Sequence, residues 1–262
     1  MITISIDPIF LSIGHFHLRW YGLIIAIAAI IGVLIAGREV KRKGFNSSQF
    51  YDSVVWILIV GFIGARLFHV IDYWKDVYLV NPIKSFYVWE GGLAIWGGVL
   101  GGLLALYIFS RIHHWKFPKF LDAIVPGMVL AQAIGRVACI ITGDTVGKPT
   151  SGPLGLAYTN PNAMVPKLGV FYTPTPIYEI AMNLGIFILL WNMRKKNLRD
   201  GELTLIYLIL YSIGRFIIGF TSSYQIIAMG LTQSQIISVF VLLVSFPLVI
   251  FAFRQNRLKG TN

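Results

Sequence analysis

Three arginines stand where arginine is costly: Arg66 in GARLFH, Arg136 in GRVACIITGD and Arg215 in YSIGRFIIGF, each inside a long apolar run. A guanidinium within a membrane span is tolerated when it faces the bundle interior, a polar cavity or an anion. All three fall in the same half of their runs, so they are expected at one depth. The guanidinium is planar and permanently charged, which suits it to clamp a phosphate through paired hydrogen bonds. The chemistry read from these residues is therefore capture of a phosphate group near one bilayer surface. A phospholipid head group and a phosphorylated solute in a transporter both satisfy it. Snorkelling, or pairing with Asp72, Glu90, Asp144 or Glu179, is the structural alternative.

Glycine supplies a second constellation. WEGGLAIWGGVLGG, from Trp89 to Gly102, holds Gly97-x-x-x-Gly101 and Gly98-x-x-x-Gly102, a spacing that lets helices approach closely. Its place at the start of a span, beside Glu90, also allows Gly97 and Gly98 to bring main-chain N–H groups to an anion. His15, His17 and His69 lack metal-ligand spacing, and His113 and His114 read as loop residues, so no metal site is expected. Cys139 is the one cysteine, which excludes an intramolecular disulfide framework. It follows Arg136 by three residues and reads as a buried thiol. Trp20 and Tyr21 read as interfacial aromatics.

The elements that must position these residues are membrane helices. Hydrophobic residues make up 56% of the 262, charged residues 13%, and the mean hydropathy is +0.72, a balance foreign to soluble domains. Seven runs, 20–37, 53–71, 92–110, 120–141, 176–193, 203–220 and 234–253, are long enough for a hydrocarbon core of about 30 Å. They do not alternate apolar and polar residues as barrel strands do. The fold class is an all-α polytopic membrane protein with seven transmembrane helices, forming a single integral membrane domain over 1–262. No cleavable signal peptide, linker or repeat is visible.

Lys and Arg set the orientation. Fourteen follow runs 1, 3, 5 and 7: Arg38, Lys41, Arg42, Lys43, Arg111, Lys116, Lys119, Arg194, Lys195, Lys196, Arg199, Arg254, Arg257 and Lys259. Five, Arg19, Lys75, Lys84, Lys148 and Lys167, lie on the other side. The positive-inside rule puts the N-terminus outside and the C-terminus in the cytoplasm. The net charge of +11 is thereby mostly topology, and no nucleic-acid partner is expected. The longest outer connection, 142–175, is rich in Gly, Pro, Thr and Asn and reads as a small outer cap.

LRWYGL at 18–23, GARL at 64–67, WEGGLAIWGG at 89–98, GRVACIITGDTVG at 135–147, PTPIYE at 174–179, YSIGRFIIGF at 211–220 and LTQSQIIS at 231–238 together resemble the prolipoprotein diacylglyceryl transferase family over nearly the whole chain. The resemblance implies an enzyme of the bacterial plasma membrane, with its active site toward the outer leaflet. It would move the diacylglyceryl group of phosphatidylglycerol to the lipobox cysteine thiol of a prolipoprotein signal peptide, releasing glycerol phosphate and needing no cofactor. It also implies that Arg136 binds phosphatidylglycerol, that Arg215 is the essential arginine of the sixth span, and that Tyr21 is the functional tyrosine. Arg66, Gly97, Gly98 and Glu179 are read as further lipid-site residues and Asp144 as a catalytic acid. A transporter of a phosphorylated or lipidic solute and a non-catalytic lipid-binding relative are the alternatives.

The chain departs from the family pattern in places. The signature GR-x-G-N-F-x-N-x-E becomes a run with Ala138, Cys139, Ile140, Thr142 and Asp144 at those positions, so only the acid is kept in kind. Trp96 stands where many members have histidine, Thr173 and Pro176 replace His and Gln, and Gly219 replaces Glu. Because indole accepts no proton through its N–H, thiol activation is expected from the arginine field or from Asp144, Glu90 or Glu179, with Asp144 preferred.

Overall fold

A computed structural model describes residues 1–14, 16–88 and 91–259. Seven helices run as α1 Trp20–Arg42, α2 Ser47–Asp72, α3 Ile95–Ile112, α4 Phe117–Thr142, α5 Thr175–Met193, α6 Glu202–Gly219 and α7 Gln233–Lys259. The first six are long and apolar enough to cross a membrane, while the apolar part of α7 is the shorter stretch Gln233–Val249. Every apolar run in the sequence thus becomes a helix, and several extend beyond it. Helix α1 continues to Lys41 and Arg42, where basic side chains favour a helix C-terminus. Helix α2 starts early because Asn46 caps it, accepting from the Ser48 and Gln49 N–H groups at 2.9 and 3.3 Å.

Short strands join the helices in the connections. Three two-stranded ladders form: β1 Ile2–Ile4 runs parallel to β4 Leu156–Tyr158, β2 Ile9–Ile13 pairs antiparallel with β3 Phe16–Arg19, and β5 Ile226–Ala228 pairs antiparallel with β6 Leu231–Thr232. The cap expected from 142–175 is ordered and recruits the N-terminal strand as well. Val146, Leu156, Tyr158 and Tyr172 form its small core. The Tyr158 hydroxyl donates to the Ile140 carbonyl at 2.8 Å, tying the cap to α4. Burial, then the nearby Asp144 and Cys139, push this phenol above its ordinary pKa. Asp7 joins the N-terminal segment to the same cap, accepting from the Ile9 N–H at 2.8 Å and from the Asn162 amide at 3.2 Å.

Contacts gather into two compact units, Met1–Ala36 with Leu121–Asn262, and Gly37–Phe120. In the first, α1 meets α4 backbone to backbone: a Cβ on Gly32 would come within 3.0 Å of the Gly127 carbonyl oxygen. Helices α4, α5 and α6 enclose Val125, Val129, Ile186, Leu190, Leu203 and Tyr207. Helix α7 begins with a capping box, in which Gln235 accepts the Thr232 N–H at 2.9 Å. The Gln235 amide also donates to the Phe216 carbonyl at 3.2 Å, binding α7 to α6. In the second unit, α2 and α3 pack along glycines, with Gly64 and Gly61 against Gly97 and Gly101.

Candidate active site

Helix α5 buries one stripe, Thr175, Pro176, Glu179, Asn183, Ile186 and Leu190, spaced as a single helical face. Glu179 is the charged member of that stripe and is 1% exposed. Its Oε2 pairs with Arg136 Nε from α4, and its Oε1 pairs with Arg215 from α6. Two of the three arginines are thus brought onto one carboxylate, the pairing that the sequence offered as the structural alternative. A buried charge of this kind persists only when paired. Arg136 NH1 also lies 3.7 Å from the Cys139 sulfur, one helical turn away, and Cys139 is buried and free.

Other residues surround this pair. Tyr21, on the first turn of α1 and half-exposed, lies within electrostatic reach of Arg136, Cys139 and Asp144. Asp144 accepts the Thr142 hydroxyl at 2.9 Å just beyond the end of α4. Tyr211, one turn inside Arg215, stacks on Tyr207 with ring centroids 5.5 Å apart, and the Tyr207 hydroxyl receives the Gln132 amide at 3.0 Å. The sequence reading missed Tyr211 and Tyr224. Tyr224, exposed beyond the end of α6, lies within electrostatic reach of Arg215 and Arg136. An aromatic between two apolar runs reads as an interfacial anchor, so composition alone could not separate Tyr224 from its neighbours.

Arg66, Gly97 and Gly98 belong to the second unit. Arg66 sends Nε to the Ser85 carbonyl at 2.9 Å, NH1 to Gly91 and Gly92 at 2.6 and 2.9 Å, and NH2 to Lys84 and Tyr87 at 2.6 and 3.2 Å. A guanidinium has five N–H groups, and here five hydrogen bonds run to main-chain oxygens of the α2–α3 connection. A Cβ on Gly97 would overlap the Gly64 carbonyl, so this glycine serves close helix packing. The Gly98 N–H is taken by the Ala94 carbonyl at 3.2 Å, inside the first turn of α3. Trp96 is partly exposed on that turn. Glu90, Trp89 and His15 lie outside the described residues.

Residues 8–251 match the family described as prolipoprotein diacylglyceryl transferase. A phosphatidylglycerol–prolipoprotein diacylglyceryl transferase of Halalkalibacterium halodurans is 37% identical over 257 residues, covering 96% of this chain and 88% of that protein. Proteins of the same name from Dehalococcoides mccartyi and Listeria innocua are 36% and 33% identical, over 98% and 94% of this chain and 98% and 90% of theirs. The match runs through the helices that carry Arg136, Glu179 and Arg215 and through the cap between them, and the chain belongs to the prolipoprotein diacylglyceryl transferase family.

Proposed function

We propose that this protein transfers the diacylglyceryl group of phosphatidylglycerol to the thiol of a prolipoprotein's lipobox cysteine. The observation that carries the reading is the meeting of Arg136 and Arg215 on Glu179 within a chain of this family. The two guanidinium groups would hold the phosphate. Glu179 would act as a positioning residue, fixing their separation. Tyr21 stands within electrostatic reach of both Arg136 and Asp144, and the reacting carbon next to the phosphate would lie near it.

In the proposed reaction the thiolate sulfur forms a bond to the terminal glyceryl carbon as the carbon–oxygen bond to phosphate breaks. The bonding pair leaves on the phosphate oxygen, and the thiol proton passes to an acceptor. A free thiol near pKa 8.5 is mostly protonated at neutral pH, so the cationic field of the two arginines favours the reactive form. Both Glu179 oxygens are already engaged by guanidinium groups, which leaves Asp144 the better acceptor. Arg66, with every donor committed, organises the α2–α3 connection, and Gly97 and Gly98 set the α2–α3 approach. All seven helices are taken to span the bilayer, with the N-terminus outside, the C-terminus in the cytoplasm and the arginine pair near the outer leaflet of the bacterial plasma membrane, as the distribution of Lys and Arg supports.

The test is incubation of membranes containing the protein with labelled phosphatidylglycerol and a lipobox peptide. A thioether-linked product is expected, and Arg136→Lys and Arg215→Lys should each lower the rate about 100-fold while inserting normally, since lysine lacks the planar fork. Absence of product from the wild-type protein would overturn the reading.

A further inference from the structure

One turn inward from Glu179, on the same buried stripe of α5, lies Asn183, 2% exposed. Its Oδ1 is buried and has no hydrogen-bond donor among the described residues. A buried carbonyl left in that condition is costly and rare. Nothing local relieves it, because Asn183 sits in the interior of α5, where each main-chain N–H is taken by the carbonyl four residues earlier. Further inward the stripe continues as Ile186 and Leu190, which pack with Val125, Val129, Leu203 and Tyr207. The Tyr207 hydroxyl is engaged with both ends of the Gln132 amide, 3.0 Å from Nε2 and 3.2 Å from Oε1. Toward the cap, by contrast, stands Glu179 with Arg136 and Arg215 upon it.

Side chains on a helix lean toward its N-terminus, and α5 begins at the cap, so the Asn183 amide leans toward Glu179 and its two cations. Arg215 meets Glu179 through NH1, and its five N–H groups lie in one rigid plane. A phosphate gripped by two parallel hydrogen bonds turns that plane away from the carboxylate. An N–H that leaves Glu179 then needs another acceptor, since a buried donor without one is penalised. We propose that Asn183 is a positioning residue whose carbonyl receives an Arg215 N–H when a phosphate group binds, fixing the guanidinium in its phosphate-bearing orientation. The carbonyl is idle in the free protein and employed in the complex. The inference rests on reading the arginine pair as the lipid phosphate site, and adds to it the residue that holds one arginine once Glu179 has partly released it.

Asn183→Leu separates this role from packing, because the two effects differ in sign. Without lipid the variant should melt at or slightly above the wild type, since an acceptor with no donor has been removed. The gain in melting temperature on adding phosphatidylglycerol in detergent should fall to about half or less, and KM for that lipid should rise about tenfold with kcat within about twofold, the size of one hydrogen bond to a charged group. Asn183→Ser, which keeps an oxygen at this place, should recover part of both. In an Arg215→Lys background, where the planar fork is already gone, Asn183→Leu should take nothing further from the lipid-dependent melting shift. Melting of Asn183→Leu well below the wild type without lipid, an unchanged KM and melting shift, or losses that add to those of Arg215→Lys would overturn the role of Asn183 and leave the transferase reading standing. Stabilisation by phosphatidylglycerol that depends on Asn183, in a wild-type protein that forms no thioether product, would keep the phosphate site and sink the transferase reading.

Discussion

The Asp122 carboxylate of α4 accepts both the main-chain N–H and the hydroxyl of Thr204 on α6, at 2.8 and 2.7 Å. The Gly201 N–H joins them at 2.8 Å, so the exposed donors at the start of α6 are capped by a residue from another helix. Asp122 is 1% exposed. Asp122→Ala is expected to cost about 2 kcal/mol and to speed hydrogen exchange at the first turn of α6. Asp122→Asn should lose less. Unchanged protection at Thr204 in Asp122→Ala would show that the cap is dispensable.

Glu179 holds two cations in the bundle, so its removal leaves charge uncompensated. Glu179→Gln should lower stability by about 3 kcal/mol. Phosphatidylglycerol should then restore more of the loss in the variant than it adds to the wild type, since an anion replaces the missing carboxylate. Melting in detergent with and without that lipid measures both effects. Equal melting of variant and wild type would mean that the two arginines find other partners.

Gly97 and Gly98 are neighbours with different surroundings. A Cβ on Gly97 would overlap the Gly64 carbonyl, while one on Gly98 would sit 3.7 Å from Ala65 Cβ and from the Gly61 carbonyl, ordinary contact distance. Gly97→Ala is expected to force α2 and α3 apart at a cost of about 2 to 3 kcal/mol. Gly98→Ala should be nearly neutral in both stability and KM for the lipid. A large rise in that KM for Gly98→Ala alone would restore an anion-binding role to this turn.

The Asp7 carboxyl is held below its ordinary value of 3.8 by the Ile9 N–H and then by Asn162. A depressed carboxyl contributes its tether fully above the ordinary value and loses it as pH falls through the lower folded value. The Ile9 and Asn162 amide resonances should therefore stay fixed from neutrality to about pH 4 and move below it. In Asp7→Asn they should be insensitive to pH over that range.

The helices were legible because a bilayer sets a minimum length for an apolar run, which six of the described helices meet. Arg136 and Arg215 were legible because charge in such a run needs a reason. Residues 1–19 were not, since β1 finds its partner at Leu156–Tyr158, a pairing fixed by tertiary packing rather than by local pattern. The contacts of Arg66 were hidden for a related reason. Its acceptors are main-chain carbonyls, which every residue carries and no composition can reveal. The two roles open to the glycines were separated by neighbouring backbone alone, which likewise leaves no mark on residue type.

The shared carboxylate also bears on how a turnover would end. Arg136, Arg215 and Glu179 together carry one unit of positive charge, which a phosphodiester lipid with its single negative charge cancels in a medium where imbalance is costly. Once the glyceryl carbon has moved to sulfur, the phosphate left behind is a monoester, with a second pKa near 6 and a charge of about −1.5 to −2 at neutral pH. On the proposed reading that surplus would face Glu179 across the same two arginines. The site would then be better matched to what it takes in than to what it produces, and the leaving phosphate would be driven toward water by the residue that holds the arginines in place.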